Sequence, residues 1–175
     1  MKNVIMFLLI TISLPAFAKV EAFNYNFSLE ILEDFYPDKT LESIEKKYNK
    51  GANISSNADY KIIKYLINHQ RYTFPVFVQY YKDKSVDFYV RLPSYFMHDI
   101  FHESLIKKLG KQDTYSKYEE SASYTWKNVK DTQHFYRAEC TITCFPIFYS
   151  VITKKSDLPG YLPILKQMLK QSSWK

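Results

Sequence analysis

The chain has 175 residues, 18% aromatic side chains, only three glycines and a formal net charge of +6 at pH 7. That composition excludes a low-complexity or disordered chain and suits a packed fold. The lysines are scattered rather than gathered into a stripe, so the charge favours acidic proteins or envelope surfaces over nucleic acid.

The chain opens on "MKNVIMFLLITISLPAFAKV". Lys2 is followed by an apolar run at positions 4–14, shorter than the roughly 20 residues a bilayer span needs. Pro15 breaks the run, and Ala16-Phe17-Ala18 is an A-x-A cleavage site. This is the layout of a secretory signal peptide, residues 1–18, with cleavage between Ala18 and Lys19. Lys at position 19, rather than Cys, argues against lipid attachment. Cleavage leaves 175 − 18 = 157 residues and a charge of 6 − 1 = +5, a length that suits one domain, 19–175. Export predicts a periplasmic or secreted protein in an oxidising compartment, a second argument against nucleic acid. No later segment has a charge-free apolar run long enough to span a membrane.

After a short lead, Ser28 is placed to cap a helix through "SLEILEDFY", ended by Pro37. "DKTLESIEKKYNKG" reads as a second helix, with Asp38 or Thr40 as cap, Leu41, Ile44 and Tyr48 as its stripe and Gly51 as its stop. "GANISSNADY" reads as a loop. "YKIIKYLINHQRYTFPVFVQYYKDKSVDFYVRLP" reads as two strand runs joined at positions 82–85. In the second run Val86, Phe88, Val90 and Leu92 alternate with Asp87, Tyr89 and Arg91, the pattern of a strand buried on one face. Pro75 marks an edge strand or a bulge. Ser94 is placed to cap the next helix, and "KQDTYSKYEESA" reads as a polar connection. "SYTWKN", "HFYRAECT" and "FPIFYSVIT" read as strands. "SDLPGYLP" reads as a turn, and residues 162–171 as a helix docking through Ile164, Leu165, Met168 and Leu169.

The predicted fold class is therefore α+β, with helices packed on an antiparallel, aromatic-rich sheet. "LESIEKKYNKG" and "HESLIKKLGKQ" echo each other, each a helix end followed by polar residues and then aromatic strands. The echo suggests two tandem helix-then-sheet units. At the level of architecture alone, such a chain resembles tandem helix-plus-meander binding proteins, with no family motif.

"FMHDIFHESLIKKLG" carries the most direct hint of catalysis. His98 and His102 stand at i, i+4, a spacing that can give two ligands to zinc. Asp99 replaces the longer Glu of the H-E-x-x-H pattern, and a third ligand would have to come from elsewhere, with His69, His134 and Glu139 as candidates. On a helical wheel both histidines fall in the sector of Met97, Phe101, Leu105 and Leu109. The alternative is therefore two core histidines bonded to backbone carbonyls or to hydroxyls of the 16 tyrosines.

Cys140 and Cys144 are the only cysteines. In one straight strand their Cα atoms would stand about 13 Å apart, at about 3.3 Å per residue, whereas a disulfide needs less than about 7 Å. An oxidising compartment favours the bond, and the bond requires the chain to turn at Thr141-Ile142-Thr143. A continuous strand with two reduced thiols is the alternative.

There is no G-x-S-x-G and no glycine-rich phosphate loop. The aromatic hairpin can serve as a binding edge, with Tyr80, Tyr81, Tyr89 and Arg91 as its contact residues. The reading that follows is an exported, non-enzymatic binding or inhibitory module without a cofactor, acting on an envelope protein. Self-protection against an envelope-acting toxin or hydrolase is one concrete version. A zinc-dependent envelope enzyme centred on His98 and His102 and a structural envelope-assembly component are the alternatives.

Overall fold

The computed structural model describes residues 30–57, 59–69, 72–93, 98–140, 144–155 and 157–170. The expected signal peptide, Ser28, Ser94, Met97 and the expected turn at 141–143 lie outside these residues. The centre of the fold is one antiparallel sheet of eight strands: β1 (Ala52–Ser56), β2 (Tyr60–His69), β3 (Tyr72–Tyr81), β4 (Lys84–Leu92), β5 (Thr114–Tyr118), β6 (Ser121–Val129), β7 (Thr132–Cys140) and β8 (Cys144–Thr153). Their spatial order is β1-β2-β3-β4-β8-β7-β6-β5. The helices are short: α1 (Glu30–Glu33), α2 (Leu41–Tyr48), α3 (His98–Leu109) and α4 (Ile164–Lys170). The fold is thus mainly β with an aromatic-rich core. It corrects the expected α+β balance, because edge strands without a buried face leave no hydrophobic alternation to read.

Two strands were hidden in this way. "ANISS" and "TYSKY" are exposed at every position, so neither carries the period-two pattern that marks a half-buried strand. The stretch read as two runs is three strands, because β2 and β3 pair tightly from Tyr60↔Tyr81 to His69↔Tyr72. The sequence between them, Gln70-Arg71, carries no Asn-Gly or Asp-Gly signal. The β3–β4 turn, by contrast, places Lys82 and Asp83 at φ 47° and 64°, as a two-residue type I′ hairpin requires. Pro75 pairs opposite Leu66, beyond the last β3–β4 pair, Val76↔Val90. There β3 is paired on one side only, which suits a residue with no N–H.

Thr40 caps α2, its hydroxyl accepting from the Ser43 amide at 3.2 Å. The left-handed position after α2 is taken by Asn49, at φ 62°, and not by Gly51. Gly51 serves close packing instead, since a Cβ there would stand 2.4 Å from Ile63 Cγ2 and 2.8 Å from the Lys64 carbonyl oxygen. The helix α3 ends at Gly110, at φ 80°, where only glycine sits without strain. The Gly110 carbonyl then accepts the Trp126 indole N–H at 2.8 Å, tying the helix end to β6.

The sheet has two unlike faces. On one, the helix face, Leu32 and Phe35 with α2 and α3 pack over Ile63, Val76, Phe88, Tyr136 and Tyr149. On the other, the back face, Ile164 with Leu165 and Met168 covers Ile62, Phe77 and Tyr89. This corrects the reading of β4 as buried on one face: Asp87 and Tyr89 are buried as well. No helix among the described residues is long and apolar enough to cross a membrane.

Candidate functional site

Four tyrosines from four successive strands are direct register partners on the helix face: Tyr115↔Tyr124, Tyr124↔Tyr136 and Tyr136↔Tyr149. Antiparallel pairing brings such partners about 4.5–5.5 Å apart at Cβ, close enough for aromatic contact. The Tyr115 and Tyr124 rings lie 5.1 Å apart and the Tyr124 and Tyr136 rings 5.6 Å apart. Tyr149 is fully buried, Tyr124 is almost so, and Tyr115 is 54% exposed at the sheet edge. The aromatic core thus reaches solvent at β5.

Helix α3 lays His98 and His102 on this ladder. Their rings are 5.6 Å apart and nearly parallel. His98 Nδ1 is 2.6 Å from the Tyr136 hydroxyl, and the His102 ring is 4.0 Å from that of Tyr124. His102 Nε2 is buried with no hydrogen-bond partner among the described residues. Burial pushes both imidazoles below the usual value, and His98 adds to the effect on His102.

The inner end of the ladder is a hydrogen-bond relay whose direction can be worked out. Thr132 donates its only hydroxyl hydrogen to the Val129 carbonyl, so its oxygen accepts from His134 Nε2–H at 3.0 Å. His134 Nδ1 then accepts from the Tyr149 hydroxyl at 2.6 Å. That hydroxyl has no hydrogen left, so Tyr36 donates to it at 3.1 Å. Both nitrogens of a neutral His134 are therefore engaged, in keeping with burial that pushes it down to about 4. Of the proposed third metal ligands, Glu139 lies on the opposite face, paired with Arg137 at 3.4 Å. His69 lies at the end of β2 in the other half of the sheet. Among the described residues no three His, Cys, Asp or Glu side chains stand close enough to hold a metal.

The four residues expected to form one contact surface do not come together. Tyr80 is buried on the helix face, its hydroxyl 2.9 Å from that of Tyr65. Tyr89 is buried on the back face and stacks on Phe148 at 6.0 Å. Tyr81 is half-buried, 5.0 Å from the Tyr60 ring, and Arg91 is exposed. Among the described residues the exposed tyrosines are instead Tyr115 and Tyr118, the latter at 72%. Sequence reasoning passed over them because "TYSKY" offers no buried face to anchor a strand.

Cys140 and Cys144 are register partners across β7 and β8. The chain therefore reverses between them and does not run on as a single strand. Comparison with family models, with curated proteins and with solved structures finds no match for this chain.

Proposed function

We propose that this chain is an exported binding or inhibitory module that holds an envelope protein against its β5 edge. Self-protection against an envelope-acting toxin or hydrolase is the concrete version we favour, with the signal peptide directing export and a Cys140–Cys144 disulfide bracing the β7–β8 hairpin. The fold reads as two tandem units, α2 with β1–β4 and α3 with β5–β8, joined through β4 and β8. One observation carries the proposal: β5 is an edge strand with a continuous register to β6, exposed throughout, and it bears the two most open tyrosines of the sheet. Such an edge can accept a partner's strand, and tyrosine supplies contact area at low entropic cost. The other edge, β1, is interrupted by a bulge between Asn53 and Ser55, a device that discourages strand addition.

Photo-crosslinking tests this. A photoreactive phenylalanine at position 115 or 118 should give one discrete adduct in an envelope extract, and the same probe at position 54 on β1 should give none. Absence of an adduct from β5, or equal labelling of both edges, would sink the proposal.

A second reading, a zinc-dependent enzyme, is favoured only by the unpartnered Nε2 of His102. Calorimetric titration of the mature protein with zinc decides it: binding abolished by His102→Gln supports the enzyme, and no binding removes it.

A further inference from the structure

At the opposite edge of the sheet, on the back face, a cavity of about 230 Å³ lies between residues 160–167 and strands β1–β3. We propose that this cavity binds one N-acylated sugar ring. The reasoning starts from its walls. Ser55, Asn57, Tyr60, Gln79, Leu162 and Gln167 all face it, and no lining side chain carries a charge. A neutral ligand with several hydrogen-bonding groups fits such a lining.

The amides define the ligand further. Gln79 is only 3% exposed, so its side chain belongs to the interior. Its Oε1 accepts from Gln167 Nε2 at 3.1 Å, and Gln167 Nε2 also donates to the Leu162 carbonyl at 2.6 Å. Both hydrogens of Gln167 Nε2 are thereby used. Neither the Gln79 amide nitrogen nor the Gln167 amide oxygen takes part in these two bonds. Between them the two amides can offer the cavity one donor and one acceptor, the complement of an acetamido group with its one C=O and one N–H. Asn57 uses its Oδ1 on the Asp59 and Tyr60 amides at 3.1 and 2.7 Å. Its Nδ2 and the Ser55 hydroxyl can meet sugar hydroxyls from the cavity wall. The Tyr60 hydroxyl donates to the Pro159 carbonyl at 3.1 Å, fixing the ring as a flat wall.

The cavity is preorganised and of limited size. Asp87, the register partner of Gln79, accepts from the Tyr161 hydroxyl at 3.0 Å and from the Ile164 amide at 2.8 Å. It thereby pins the segment carrying Gly160, Leu162 and Gln167 over the sheet. The volume lies below the usual drug-sized range, which suits a single sugar ring.

NMR titration of the isotope-labelled mature protein with N-acetylglucosamine tests the proposal. The Gln79 and Gln167 side-chain amides should shift saturably, with a dissociation constant on the order of millimolar. Gln79→Leu should weaken binding at least about tenfold. Ser55→Phe should do the same from the exposed mouth without disturbing the interior, which guards against a misfolded Gln79 variant. Equal or tighter binding of N,N′-diacetylchitobiose would mark the end of a glycan as the source, and binding of the monosaccharide alone a free sugar. No shift at these amides, or unchanged binding by a folded Ser55→Phe protein, overturns the proposal.

Discussion

Strands β4 and β7 follow the same plan, with alternate side chains on the helix face and the back face, yet they are finished differently. In β4 the back-face residues Asp87 and Tyr89 are buried, whereas in β7 Phe135 and Arg137 stay half-exposed. The difference comes from the C-terminal segment, which lies on the first half of the sheet and contributes Tyr161, Ile164 and Met168 there. On the helix face the contrast reverses. The first half is packed largely by Ile, Val and Phe, and the second by tyrosines that share hydrogen bonds with histidines. Burial of a strand's second face is thus decided by a segment more than seventy residues away, not by the strand's own pattern.

The largest expected effect contrasts two phenylalanines of the second half. Phe101, buried against Tyr136 and Tyr149 at 5.4 and 5.6 Å, should cost about 3–5 kcal/mol on truncation to Ala. Phe135→Ala, on the back face and only partly buried, should cost clearly less, about 1–2 kcal/mol. Urea denaturation measures both, and equal losses would mean that the back face of the second half is covered too.

The proposed Cys140–Cys144 disulfide comes next. Opposed residues of an antiparallel pair stand about 4.5–5.5 Å apart at Cα, inside the range a disulfide spans. Replacing both Cys140 and Cys144 by Ser should therefore lower stability by about 2–3 kcal/mol at most, because so short a loop restrains the unfolded chain only modestly. Alkylation of unreduced protein followed by mass spectrometry checks the bond itself. Two alkylated thiols would contradict it.

Gly51, three residues past α2, and Gly110, directly after α3, are needed for different reasons. Gly51→Ala forces a Cβ against a backbone carbonyl, and should cost about 2 kcal/mol through overpacking. At Gly110 nothing lies within 4 Å of an added Cβ, so Gly110→Ala should cost only about 1 kcal/mol, from its left-handed backbone. Reversal of that order in thermal melts would contradict the close packing around Gly51.

How much of this was legible in the sequence follows the same division. The α3 wheel placed Phe101, Leu105 and both histidines toward the core, because all of that information lies within twelve residues. The cap at Thr40 and the β7–β8 reversal between the cysteines were legible for the same local reason. Strands β1 and β5 were not, since their side chains bury nothing. Asp87 read as an outward residue because its partners, Tyr161 and Ile164, are remote in sequence. The exposed tyrosines could be found only once β5 was known to be an edge.

The smallest effect is expected in the pH dependence of the whole protein, where two buried groups oppose each other. Burial pushes Asp87 up to about 7, so its contribution is complete below the ordinary carboxylate value and is lost as pH rises through 7. Burial pushes His134 down to about 4, so its contribution is complete above the ordinary imidazole value and is lost as pH falls through 4. Between about pH 4 and about pH 6.5 the slopes, each at most about 1.4 kcal/mol per pH unit, have opposite signs and largely cancel. Asp87→Asn should unmask a stability that rises with pH across that window, and His134→Gln one that falls. Urea midpoints across the window would contradict this if either variant stayed flat.

We propose that this protein meets its partner in its second half, at the β5 edge. The most direct measurement is quantitative co-purification from the envelope fraction with wild type and with a Tyr115→Ser, Tyr118→Ser variant of matched thermal stability. The account predicts one partner in fixed stoichiometry with wild type and its loss, by at least about tenfold, with the variant. Equal recovery by both proteins would contradict it.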